Sequence, residues 1–371
     1  MKVVDVAIVG CGLAGAAVAW QSHRRGLRVA IIDRCASSTS SRVAAGLVTP
    51  VTGSRGAMSW EWSWFYNALS EFYPWVERRV GCRFWFPSPT IKIFLSEEER
   101  HRYCDRWFND SHHPTDTSFG MPWARAEDLP QSIGLSTPWG GCELSPAARL
   151  STIDYLNATR SYFEARDEFR EIDLLCDRDI QAREQDSIIE PLEIQAKNLV
   201  FCQGVEARKN PWFSVLPLHP ARGDILTIST ELPLFDARVI HHEAWIVPLG
   251  PQLFRIGATY DRFTLDDIVD SRPSVSQARN ELLRRWKSVL GYATKPADAF
   301  HYEVVEHQAA VRPASYDRKP LIGRHPIFAN VYCLNGLGSK GSLMAPRLAM
   351  HLLDAMDGAV IDSRLNWNRK S

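Results

Sequence analysis

Three glycines and one acid near the N-terminus carry the clearest chemistry in this 371-residue chain. Gly10-Cys11-Gly12-Leu13-Ala14-Gly15 has the G-x-G-x-x-G spacing, and Asp33, followed by Arg34, lies a further 18 positions beyond Gly15. Each piece has its own task. Gly10 permits a tight turn, Gly12 lets a phosphate approach where a Cβ would stand, and Gly15 lets a helix pack closely on a sheet. Leu13 and Ala14, at the head of that helix, offer free N–H groups and the positive dipole end to a diphosphate. Asp33 is placed to accept a hydrogen bond from a ribose hydroxyl. Together these are the parts of a dinucleotide-binding turn.

Such a turn works only if a strand feeds it and a helix leaves it. Val3-Val4-Asp5-Val6-Ala7-Ile8-Val9 is a β-branched run of strand length. Small and apolar residues continue at helical spacing from Ala16 to Trp20, and Gly26 suits the left-handed end of that helix. Leu27 to Ile32 reads as a second strand closing on Asp33. Strand, helix, second strand and terminal acid are therefore in register for a βαβ unit.

Three later segments favour a flavin dinucleotide over a nicotinamide one. Ala44-Ala45-Gly46 follows Arg42 soon after the ribose acid, and its small side chains leave room for a ring system to pass the backbone. Asn198 to Gln203 is an apolar strand stopped by Gly204. Near the C-terminus, Val331 to Asn335 is followed by Gly336-Leu337-Gly338-Ser339-Lys340-Gly341-Ser342 and an apolar helix from Leu343 to Met356. This second G-x-G-x-x-G leaves only a weak strand, Ala359 to Ile361, ahead of Asp362. The better reading is a helix N-terminus aimed at the flavin ring, with Lys340 near negative charge on the reduced ring. The alternative is a solvent-facing Lys340.

These landmarks together resemble the D-amino-acid oxidase/glycine oxidase superfamily of FAD-dependent oxidoreductases. Gly10 to Gly15 with Asp33-Arg34 is similar to its N-terminal FAD motif, and Ala44-Ala45-Gly46 to the loop beside its flavin. Phe201-Cys202-Gln203-Gly204 resembles its A-T-G strand, with cysteine and glutamine in place of alanine and threonine. Arg222-Gly223-Asp224 resembles the R-G-Q motif that opens its substrate sheet. Trp245-Ile246-Val247-Pro248 and Ile256-Gly257-Ala258-Thr259-Tyr260 resemble its paired inner strands. Val311-Arg312-Pro313 with Asp317 and Pro320 to Gly323 resembles its R-P…D…P-L-I-G segment. The chain departs from the pattern between Ser54 and Gly141 and in the final loop, where G-H-x-x-x-G is commoner.

The resemblance implies FAD, bound non-covalently, with Gly10, Gly12, Leu13, Ala14, Gly15, Asp33, Arg34, Ala44, Ala45, Gly46, Gly204, Gly336, Gly338, Ser339, Lys340, Gly341 and Ser342 around it. It implies Arg312 as the anchor of a substrate carboxylate, a role suited to a guanidinium fork. Trp245 and Tyr260 stand where substrate-facing residues are expected. The implied activity is oxidation of a C–N bond in a small-molecule amine or amino acid, by hydride transfer to flavin N5 without a strong protein base. Oxygen or another electron acceptor would complete the cycle. Cys333, the cysteine closest in sequence to the final loop, reads as a buried thiol rather than a flavin link.

The rest of the sequence sets bounds. Forty-three basic side chains balance forty-three acidic ones, so nucleic acid is not expected as a partner. Eight cysteines without a C-x-x-C spacing read as reduced thiols, and the short apolar stretch Val6 to Trp20 as neither signal peptide nor membrane span, which points to the cytoplasm. His112-His113 and His241-His242 are adjacent pairs, poor for a shared metal, and no metal site is expected. Eight of the thirteen tryptophans fall between Trp60 and Trp139. They read as the aromatic core of a small substrate domain, or as an apolar wall over the substrate. Trp60, Trp62 and Trp64 alternate as in a strand, and Asn67 to Glu77 reads as an amphipathic helix.

The expected fold is α/β. A Rossmann-like, discontinuous FAD-binding domain comes from 1–50, 145–215 and 305–371, and a substrate domain built on an antiparallel β-sheet from 51–144 and 216–304. Two alternatives remain: an FAD enzyme acting on a modified base side chain in tRNA, which the charge balance disfavours, and a non-catalytic FAD-binding module.

Overall fold

The computed structural model describes residues 1–52, 56–107, 135, 137–231, 234, 237–262, 275–291 and 301–369. His112, His113 and Trp123 lie outside the described residues. Two eight-stranded sheets organise the chain. The first has a parallel centre. The opening strand, Lys2–Val9, pairs in parallel with Val29–Asp33 on one side and Ile194–Phe201 on the other. Ile194–Phe201 also pairs with Val331–Asn335, so the strands that lead into both glycine loops are one strand apart.

The opening strand alternates as a strand covered on both faces must. Val6 and Ile8 pack under the helices Leu13–Arg24 and Gly341–Met356, while Ala7 and Val9 face a second core with Phe201, Phe213 and Leu218. Trp20 fills the first core. Its indole is fully buried and donates to Thr159 Oγ1 at 2.9 Å.

The second sheet is antiparallel except where Val239–His241 pairs in parallel with Thr90–Ile93. Its centre is Ala221–Thr230, flanked by Leu253–Gly257 and the long strand Tyr302–Arg312. The expected hairpin is present: Trp245–Gly250 turns at Pro251 and Gln252 into Leu253–Gly257. The helix Val275–Leu290 packs Leu282 and Trp286 beneath this sheet.

Three segments differ from the sequence reading. Trp62 and Trp64 lie in one helix, Trp62–Val80, and not in a strand. Positions i and i+4 share a helix face as well as a strand face, so a five-residue alternation does not separate the two. This helix buries Trp62, Phe65, Leu69, Phe72 and Tyr73 against the core of the first sheet, and the Tyr73 hydroxyl donates to the Ser342 carbonyl at 2.8 Å. The aromatic segment thus supports the nucleotide layer, although it falls in the stretch assigned to the substrate domain. Tyr302–Arg312 likewise belongs to the substrate sheet throughout, beyond the line drawn at residue 305. Residues 359–361 form no strand, so the second glycine loop opens no second βαβ unit.

Candidate active site

The opening turn is built as the spacing requires. Gly10 sits at φ +98°, in the left-handed region, and a Cβ on Gly15 would stand 1.8 Å from the Gly10 carbonyl oxygen. A Cβ on Gly12 would meet Ser41 Oγ at 2.8 Å. The helix that follows has no side-chain cap on Gly12 and no acid in its first turn, and its Leu13 amide, expected to be free, donates to Ser41 Oγ at 3.0 Å. Asp33 lies across the turn. One carboxylate oxygen accepts the Cys11 amide and the other the Cys35 amide at 2.6 Å, leaving lone pairs for a hydroxyl.

From this turn a cavity of about 950 Å³ runs between the two sheets, at the upper end of the range for ligand sites. Gly10, Gly12, Leu13, Ala14, Asp33 and Arg34 line one end, where Arg34 also pairs with Glu206 at 3.6 Å. Ala44, Ala45, Gly46 and Gly204 also line it. Gly338, Ser339, Gly341 and Ser342 bring in the second glycine loop, and Trp245 and Arg312 close the far end. The head of Gly341–Met356 also lacks a side-chain cap and a first-turn acid. Two helix N-termini therefore serve one cavity.

The middle loop is held from both sides. Gly46 sits at φ +71°, and a Cβ there would stand 1.8 Å from the Leu150 carbonyl oxygen. Thr152 Oγ1 donates to the Ala44 carbonyl at 3.1 Å. Arg255, from the substrate sheet, donates through Nη2 to the Val43 carbonyl at 2.8 Å and to Gln308 Oε1 at 2.9 Å. Burial pushes this guanidinium below its ordinary pKa.

At the far end the Arg312 guanidinium lies on Gly223, where a Cβ would come within 2.1 Å of it. Its Nη1 donates to the Thr259 and Arg222 carbonyls at 3.3 and 3.4 Å, and the Tyr260 ring covers it at 5.4 Å. Among the described residues no carboxylate lies within ion-pair distance of Arg312. Desolvation pulls its pKa down, against the pull of Tyr260, Asp224 and Asp261. Trp245 lies against Gly257, and Ile225 completes this patch of wall.

Four of the expected residues stand off the cavity wall. Gly15 and Gly336 shape their turns from behind. Tyr260 is 47% exposed, at the rim over Arg312. Lys340 faces neither the cavity nor open solvent: its Nζ donates to Ser59 Oγ at 3.0 Å, and desolvation brings its pKa down to about 8. Burial also pushes His241 down to about 3 and His242 to about 4, so both imidazoles stay neutral at ordinary pH.

Sequence reasoning missed Ser41, which accepts the Leu13 amide at 3.0 Å, and Arg255. Ser41 belongs to a serine-rich run that gave no spacing signal. Arg255 is one basic residue among apolar neighbours in a strand, and the Val43 and Ala44 carbonyls that it holds lie over 200 positions away.

The cavity suits a flavin dinucleotide. The turn that a Cβ would fill leaves room for a diphosphate, the acid takes a ribose, and the small-residue loop leaves space for a flat ring. Comparison with known proteins agrees. One curated relative, the tRNA 5-methylaminomethyl-2-thiouridine biosynthesis bifunctional protein MnmC of Marinobacter nauticus, is 27% identical over 97% of this chain and 57% of its own length. The chain thus spans about half the length of that relative. Glycine oxidase of Pseudomonas aeruginosa is 22% identical over 95% of this chain and 94% of its own. The crystal structure of glycine oxidase from Geobacillus kaustophilus superposes with a TM-score of 0.79 at 20% identity, covering all of both chains. The family model described as FAD dependent oxidoreductase (DAO) matches residues 5–355, and the chain belongs to that family of FAD-dependent enzymes.

Proposed function

We propose that this chain oxidises the C–N bond of an α-amino carboxylate, with Arg312 as the carboxylate anchor. One observation carries the reading. Arg312 is a largely buried cation on the cavity wall, without an acid at ion-pair distance among the described residues. A buried charge without a counter-ion is costly, and a carboxylate ligand would remove that cost while fixing its own orientation.

The remaining residues divide the work. Gly10, Gly12 and Ala14 would hold the diphosphate, with Leu13 beside them on the wall, Asp33 would hold the ribose, and Ala44-Ala45-Gly46 with Gly338, Ser339, Gly341 and Ser342 the ring. Bound FAD supplies hydride acceptance at N5. Trp245 and Ile225 form an apolar wall that excludes water and holds the α carbon in one orientation. The head of Gly341–Met356 presents positive potential where negative charge builds up during the transfer. None of the cavity side chains is required as a base, since a neutral amine can lose hydride directly.

Arg312→Ala is expected to raise KM for a carboxylate substrate by about 30-fold, the loss of a charged hydrogen-bonded pair, with FAD retained. Steady-state kinetics and the bound flavin content check both halves. Unchanged KM with flavin in place removes Arg312 from the role.

A second reading has its own support, the match of nearly the whole chain to a relative named for tRNA modification. In that reading the amine is carried on a nucleoside and the same C–N chemistry applies. Binding of unmodified tRNA that weakens steeply with salt would favour it.

A further inference from the structure

The Asp224 carboxylate is fully buried and has no task in the cavity. Asp224 follows Gly223 on Ala221–Thr230. Its side chain is wholly excluded from solvent, and by strand alternation it points away from the cavity face that Gly223 and Ile225 line.

Its bonds converge on the seat of Arg312. Arg222 Nε and Nη2 both donate to the carboxylate at 2.9 Å, and His307 Nε2 lies 2.9 Å from Oδ1. The Thr259 hydroxyl donates to Oδ2 at 3.2 Å and accepts the Asp224 amide at 3.0 Å, and the Thr259 amide donates to the Asp224 carbonyl at 3.3 Å. Thr259 lies in the link between Leu253–Gly257 and Asp261–Arg262, outside both strands, so Asp224 supplies much of what fixes it. The two carbonyls that receive the Arg312 guanidinium belong to Thr259 and Arg222, the residues that Asp224 ties down.

We propose that Asp224 is a positioning residue: by fixing Thr259 and Arg222 it sets the two carbonyls that hold the Arg312 fork ready for a carboxylate. A long side chain ordered in advance loses less freedom when the ligand arrives. The proposal rests on the reading of Arg312 as the anchor. It adds a requirement the anchor alone does not make, that substrate affinity depends on a carboxylate on the opposite face of the strand.

The test measures acetate binding to the FAD-loaded protein by the visible difference spectrum of the flavin, alongside thermal midpoints and FAD affinity. Four proteins are compared: wild type, Asp224→Asn, Arg312→Ala and the double variant. Asp224→Asn is expected to weaken acetate by about tenfold with FAD affinity kept, and to cost nothing further once Arg312 is alanine. An acetate affinity equal to wild type in Asp224→Asn, or an equal loss in both backgrounds, overturns the proposal and leaves the anchor standing. Acetate binding that Arg312→Ala does not weaken overturns the anchor and the proposal together. If Asp224→Asn does not fold, Thr259→Val decides, since it removes only the hydroxyl link. A weaker acetate complex is then expected, and an unchanged one refutes the role.

Discussion

Arg312 and Lys340 are two cations in similar surroundings with different partners. Arg312 has backbone carbonyls, an aromatic lid and an open cavity, and Lys340 has one hydroxyl. The Lys340 environment has a consequence for stability. Its folded pKa, about 8, lies below its ordinary value of 10.5. Below the lower value both folded and unfolded chains carry the proton, and the cost of burying it is fully felt. Between the two values the unfolded chain binds more protons, so this contribution makes stability rise with pH. Lys340→Met removes that rise. The difference in thermal midpoint, variant minus wild type, is expected to be largest near pH 7 and to shrink towards about pH 10. Parallel curves across that range would show that Lys340 keeps its proton.

At the scale of elements, the cavity depends on close approaches between backbones. Gly15→Ala would push a Cβ into the Gly10 carbonyl, and neither backbone can move away cheaply. The variant is expected to lose about 2 kcal/mol of stability and most of its bound flavin, measured by urea midpoint and flavin per chain. Full flavin occupancy would mean that helix and turn separate more easily than their spacing implies. Arg255 links the substrate sheet to the Val43–Ala44 carbonyls. Arg255→Met should therefore weaken FAD by about tenfold, although the residue lies outside the nucleotide layer. A fluorescence titration reads this directly, and an unchanged affinity would leave Thr152 as the sufficient support. These elements differ in how far sequence discloses them. The opening βαβ unit is legible because its parts are consecutive and each glycine has a local reason. The Arg222–Asp224–His307 network rests on a bond between residues 83 positions apart, Asp224 and His307. Its carboxylate sits in a motif position that reads as an ordinary strand start. The Trp62–Val80 helix was half legible: the amphipathic stretch was clear, but its aromatic head also fits a strand.

For the whole molecule, two sheets face each other across one cavity. The first brings both glycine loops to the same edge, and the second supplies Trp245, Arg255 and Arg312 from three of its strands. The order of motifs points to the glycine loops, Trp245 and Arg312, and gives no signal for Arg255. What sequence left open was which face each helix covers, and burial decides that: the tryptophan-rich helix covers the nucleotide sheet. Among the described residues no helix is long and apolar enough to cross a membrane. In the proposed reaction cofactor, anchor and wall act on one amine. The most direct measurement mixes the FAD-loaded protein, without oxygen, with glycine, N-substituted glycines, L-proline and matched amines that lack the carboxylate, and follows the visible flavin absorbance. Bleaching by at least one amino carboxylate, absent with its decarboxylated counterpart and much slower in Arg312→Ala, is the expected result. Bleaching by the amines alone, or equal bleaching with and without the Arg312 side chain, would contradict it.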